Sequence, residues 1–168
     1  MIFNFKKHNT DLYNTLLILS RNVFFYNKLK LLDSFETRIY LMFFHFSILM
    51  VIHRNKGKKL DQKSYDSLFI CVENDLRELG FGDVSVNKKM KDLNKILYDI
   101  LLKIYNSKTE TIEIKENLVT KYFRPLNDVN DDYTKEFERY FINFYNFCFE
   151  LPLKSMLLET KNFKYGCT

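Results

Sequence analysis

A chain of 168 residues can close a hydrophobic core without disulfides or a structural metal, and 46% hydrophobic with 28% charged residues excludes a disordered tail. The formal net charge of +5, from 26 basic and 21 acidic side chains interleaved along the chain, permits weak attraction to RNA, ribosomes or anionic lipid without requiring it. Cys71, Cys148 and Cys167 are too scattered for a disulfide framework or a zinc site, which points to a reducing compartment.

The 17 Phe and 11 Tyr accompany abundant Ile, Asn and Lys and an absence of Trp and Ala, so AT-rich coding accounts for the aromatic excess without invoking base stacking. With only 4 Gly and 2 Pro, these residues and the Asn/Asp clusters mark the joints, and the segments between them have helical periodicity. The expected fold is all-α, a single compact bundle of about six helices formed by residues 1–168. The first eleven residues have neither a long apolar run nor an Arg- and Ser-rich bias, so no export or import signal is expected.

A first amphipathic helix is predicted from residue 10 to about residue 30, with Leu12, Leu16, Leu19, Val23 and Tyr26 at three-and-four spacing. Asp33 followed by Glu36 resembles a capping box that opens the next helix. Residues 39–52 are almost entirely apolar, but fourteen residues fall short of the roughly twenty that cross a bilayer. They read as a buried central helix packed on several sides. Within it His45 follows Arg38 by two helical turns on one stripe, and both need partners once buried. With Asp75 they are expected to form a buried polar cluster rather than a metal or haem site, since no second convergent ligand is evident.

A third helix is predicted over residues 62–79, with Tyr65, Leu68, Phe69, Val72, Leu76 and Leu79 on one face and Asp66, Glu73 and Arg77 opposite. Gly80 ends it, residues 81–84 connect, and Ser85 caps a fourth helix over residues 86–107. That helix turns Met90, Leu93, Leu97, Ile100, Leu101 and Ile104 inward, and Lys88, Asp92, Lys95, Asp99 and Lys103 outward with alternating sign. Lys88, Lys89, Lys91 and Lys95 crowd its start, where the macrodipole disfavours cations, so an anionic partner would account for them. A shorter helix follows over residues 111–123, stopping at Arg124-Pro125. After the loop at 127–132 comes an aromatic helix carrying Tyr133, Phe137, Tyr140, Phe141, Phe144, Phe147 and Leu151, ended by Pro152. Residues 161–168 are expected to fray.

The sequence has no Gly-rich phosphate loop, nucleophile elbow or H-E-x-x-H motif, and its three histidines stand in no ligand spacing with carboxylates. No catalytic residue, metal or cofactor is expected, and the chain does not read as an enzyme. The stretch 77–91 is the candidate working surface. Its partner-binding residues are Arg77, Glu78, Asp83, Lys88, Lys89 and Lys91, and its structural corner is Gly80, Gly82 and Ser85.

Arg77-Glu78-Leu79-Gly80, Gly82-Asp83, Ser85-Val86 and Lys88-Lys89-Met90-Lys91 together resemble the signature of the ubiquinol-cytochrome c chaperone family. Upstream, Ser20-Arg21, Phe25-Tyr26, Asp33, Arg38, His45 and Leu49 stand at the family's spacing, and downstream Tyr98 and Tyr105 match its aromatic positions. The likeness covers about residues 20–106, leaving C-terminal helices over 107–160 without a counterpart. The sequence departs at Asn87, where the family commonly has Pro, at Cys71-Val72-Glu73, where it is Asp-rich, and at Asp99, where it has Gly. The resemblance implies a non-enzymatic, all-helical chaperone that binds nascent or newly inserted cytochrome b during assembly of respiratory complex III. It further implies contact with the ribosome and a small partner subunit. A bacterial chain in the cytoplasm, peripheral to the inner membrane, fits the sequence; an organellar one would act on the matrix side. The alternatives are a basic helical RNA- or ribosome-binding module and a peripheral membrane protein; no specific DNA recognition is indicated.

Overall fold

The computed structural model describes residues 11–104, 111–123 and 131–166, and among these it is all-helical, without a strand. Its α-helices are α1 (Asp11–Ser20), α2 (Phe35–Asn55), α3 (Gln62–Glu78), α4 (Asp83–Ile104), α5 (Glu116–Tyr122), α6 (Asp131–Phe149) and α7 (Met156–Glu159). A π turn (Phe24–Lys28) follows α1, and a 3-10 turn (Thr160–Asn162) follows α7. Tyr105, the C-terminal end expected for the fourth helix, Arg124-Pro125, most of the 127–132 loop and Cys167 lie outside the described residues.

The apolar character of α2 is met by neighbours on several sides: α1, α4 and α6 all pack on it. By length and composition Phe35–Asn55 could cross a membrane, yet 67% of its apolar window is buried in the fold, and every residue from Leu41 to Leu49 is buried. The α4 stripe also follows the expected pattern, burying Leu93, Leu97, Ile100 and Ile104 and leaving Met90 and Leu101 half-covered.

Several local expectations are corrected. The first helix does not run to residue 30. It ends at Ser20, and the Asn22 carboxamide accepts from the Phe24 N–H at 3.0 Å, turning the chain into the π turn that buries Phe24 and Phe25. Ser34, not Asp33, caps α2: its hydroxyl accepts from the Thr37 N–H at 3.2 Å, while Asp33 reaches Arg38 instead. The short helix begins at Glu116 rather than at 111, and α6 begins at Asp131, inside the expected loop. Nor do the last described residues fray. Phe163 and Tyr165 fold back on Tyr140, with ring centroids 5.4 and 5.1 Å away, and the Thr160 hydroxyl donates to the Met156 carbonyl at 2.5 Å.

Candidate functional site

The junction of α3 and α4 is built by backbone hydrogen bonds. The Gly80 N–H donates to the Arg77 carbonyl at 3.0 Å and the Phe81 N–H to the Leu76 carbonyl at 3.3 Å, the paired bonds of a Schellman ending. This geometry puts Gly80 at φ +93°, where a side chain is strained. The Gly82 carbonyl then accepts from the Val86 N–H at 2.9 Å, so α4 starts at Asp83 and Gly82 occupies the cap position. Ser85 is therefore already inside the first turn of α4 and does not cap it, and Gly82 is not held at positive φ.

Arg77 links the two helices. Its guanidinium donates to Glu73 at 2.8 Å and to Asp83, and the Asp83 bond, then the Glu73 bond, raises its already high pKa. Arg77 and Asp83, both expected to face a partner, thus spend their charge largely on each other. Glu78 and the side chains of Lys88 and Lys91 are exposed, and the Lys89 ammonium lies 4.6 Å from the centre of the Phe81 ring.

Residues 77–85 are all exposed, nine in succession. Three of them are large and apolar: Leu79 at 57%, Phe81 at 38% and Val84 at 85% of full exposure. The expectation that Leu79 faces the core is corrected, because α3 ends at Glu78, two residues after the buried Leu76, and Leu79 is the exposed C-cap. This apolar tip around Gly80 and Gly82 was not singled out from the sequence. Only Val86, the next apolar residue, returns to the core.

The expected cluster of Arg38, His45 and Asp75 is not brought together. Arg38 lies at the start of α2 and makes a two-pronged ion pair with Asp33, at 2.7 and 2.8 Å. The hydrogen bond from Arg38 holds the Asp33 carboxyl below its ordinary range. Asp75, half-buried on α3, accepts a hydrogen bond from the Tyr13 hydroxyl of α1, and burial raises its pKa despite that bond. His45 alone is fully buried.

The two ring nitrogens of His45 are both engaged. Nδ1 lies 2.6 Å from the Leu41 carbonyl, which can only accept, so Nδ1 carries the proton and Nε2 accepts from the Tyr140 hydroxyl at 2.9 Å. Asn22 hydrogen-bonds the same hydroxyl, tying the turn after α1 to α6. Phe141 and Phe144 stand edge-on to the imidazole, each 4.8 Å between centroids. Burial pushes the His45 pKa down to about 3, against the smaller opposing effect of the Leu41 carbonyl. This is a neutral, satisfied core histidine, and its partner lies 95 residues along the chain, beyond the reach of local periodicity.

Several of the residues on which the upstream resemblance rests contact one another. Tyr26 donates to the Ser20 carbonyl at 2.6 Å and also meets Arg38, Asp33 pairs with Arg38, and Phe25 lies edge-on to His45 at 6.0 Å. They brace α1 and the π turn against α2, while the corner at 77–85 stays outside this packing. Among the described residues no group of three or more His, Cys, Asp or Glu could hold a metal ion.

Comparison with protein families matches residues 27–110, half of the chain, to the family described as Ubiquinol-cytochrome C chaperone. The matched segment contains α2, α3, the corner and α4 whole. Comparisons with curated proteins and with solved structures give no match.

Proposed function

This chain belongs to the ubiquinol-cytochrome C chaperone family, and from that premise we propose that it is a non-enzymatic assembly chaperone for complex III. Its client in this reading is newly made cytochrome b, which it holds at the membrane surface until the other subunits of ubiquinol-cytochrome c reductase join. The α3–α4 corner is the contact surface.

One observation carries the choice of surface. Within the family-matched segment the aromatic and apolar residues of α2 go into the core, yet the run 77–85 leaves Leu79, Phe81 and Val84 in water. Burying them against a partner would release apolar surface worth about 25 cal/mol per Å². The exposed Lys88 and Lys91 add positive charge nearby. Because α4 begins at Asp83 they stand beyond its first turn, so the expected conflict with the helix macrodipole does not arise and their charge is simply available at the surface. Deleting the gene should lower assembled complex III and leave the other respiratory complexes intact, as read on native gels; an unchanged complex III overturns the proposal.

A further inference from the structure

We infer that the α3–α4 corner docks on an anionic lipid surface, its apolar tip entering the bilayer interface and its lysines meeting the headgroups. The inference rests on the reading of this corner as the contact surface, and names what that surface touches first.

Shape and charge both point to a bilayer. The tip carries Leu79, Phe81 and Val84 on the turn around Gly80 and Gly82, Val84 the most open at 85% and Phe81 partly covered by Lys89. A protein groove would need a matching pocket, whereas the interface between headgroups and acyl chains accepts any small apolar protrusion. The cations stand behind the tip at a suitable height. Val84, Lys88 and Lys91 share one stripe of α4, four and three residues apart, so the lysines follow Val84 by roughly 6 and 10 Å along the axis. In an end-on approach, with α4 along the bilayer normal, that offset keeps the lysines on the headgroup side of Val84.

The charge available is that of Lys88, Lys89 and Lys91. Arg77 is matched by Glu73 and Asp83, Lys95 stands 3.9 Å from Asp92, and Glu78 is the exposed acid on the α3 side. Lys89 over the Phe81 ring joins the cationic and apolar parts of the surface at one place. Nucleic acid would use the same lysines but has no use for an exposed valine and leucine, so the apolar tip favours lipid.

The chain contains no Trp, so Phe81→Trp supplies a single fluorophore at the tip. Adding vesicles of phosphatidylcholine with phosphatidylglycerol should shift its emission to the blue and allow quenching by acyl-brominated lipid, and raising the salt should weaken both effects. Vesicles of phosphatidylcholine alone should give neither. In the same background Val84→Asp, or Lys88→Glu with Lys89→Glu, should lower vesicle affinity by about tenfold or more. Because Val84 and Lys88 are exposed, circular dichroism should report an unchanged helix content. A single Trp placed at Leu158 on α7, also exposed, should stay at its aqueous emission. Emission at position 81 that no vesicle shifts, an equal shift without anionic lipid, or affinity indifferent to Val84→Asp each overturns the inference. Binding to RNA that survives Val84→Asp, with no vesicle shift, would assign the lysines to nucleic acid instead. If vesicles fail while cytochrome b is still captured, and is lost with Lys88→Glu and Lys89→Glu, the corner touches the client directly and the proposed function stands without the lipid.

Discussion

His45 is held neutral by the protein around it, and that has a consequence for stability. Its pKa in the fold is pushed down to about 3, against about 6.5 in an unfolded chain. Above pH 6.5 both states are neutral and the packing of the imidazole contributes in full. Below 6.5 the unfolded chain takes up a proton that the fold cannot accept, so stability falls by about 1.4 kcal/mol per pH unit down to the folded value. Between pH 6.5 and 5 the loss is about 2 kcal/mol. Urea unfolding at pH 7 and pH 5 should show it, and His45→Gln should remove that part of the difference; an equal pH response in the variant would contradict the account. Ser47, two residues on, presents the opposite case. Its buried hydroxyl has no hydrogen-bond partner among the described residues. Ser47→Ala should therefore leave stability unchanged or raise it by about 1 kcal/mol, since it removes an unpaid desolvation cost. A raised or equal urea midpoint supports this, and a clear drop would mean that the hydroxyl has a partner.

At the scale of the helices, the corner depends on one glycine more than the other. Gly80 sits at φ +93° with nothing within 4 Å of an added Cβ, so Gly80→Ala is penalised by backbone conformation alone, about 1–2 kcal/mol. Gly82 is not at positive φ and is equally uncrowded, so Gly82→Ala should cost a few tenths of a kcal/mol through the weaker cap. Thermal melts of the two variants should differ in that order; equal losses would contradict the Schellman assignment. The stop at Gly80, the burial of α2 and the α4 stripe were all legible in the sequence, because each follows from local spacing or from the conformational freedom of one residue. The break after Ser20 was not, because it is made by an Asn side chain bonding two residues ahead inside an uninterrupted apolar period. Ser34 and Asp33 are both acceptable caps by type, and only the pull of Arg38 on Asp33 decides between them. Asp99, where the resemblance would place a Gly, also has a local use. Burial works against its ionised form, but bonds from Lys121 at 2.8 Å, Tyr122 at 2.5 Å and nearby Lys103 outweigh that and hold the carboxyl well below its ordinary range. They clamp α5 to α4, and the same carboxylate, after burial, raises the Tyr122 hydroxyl to about 12.

For the molecule as a whole, the residues on which the family resemblance rests divide into two parts with different physical roles, Phe25 and Tyr26 of the first part lying before the matched segment 27–110. Phe25, Tyr26, Asp33, Arg38 and His45 touch one another and brace the central helix. The corner residues touch little, and their exposure is what makes them a surface. The sequence shows both sets at the spacing of the resemblance, but not which set is packed, because that depends on partners such as Tyr140 and Phe163 that come from outside the matched segment. The candidate site was legible as a stretch, through its glycines and lysines. Its apolar tip was not, since Leu79 continues the period of the α3 face and only the end of the helix turns it outward. The proposed role as a cytochrome b chaperone is tested most directly by one capture experiment. The tagged chain is recovered from growing cells under mild detergent, and the membrane proteins bound to it are quantified. Enrichment of cytochrome b over other respiratory membrane subunits is the predicted result; recovery of cytochrome b at no more than their background level would contradict it.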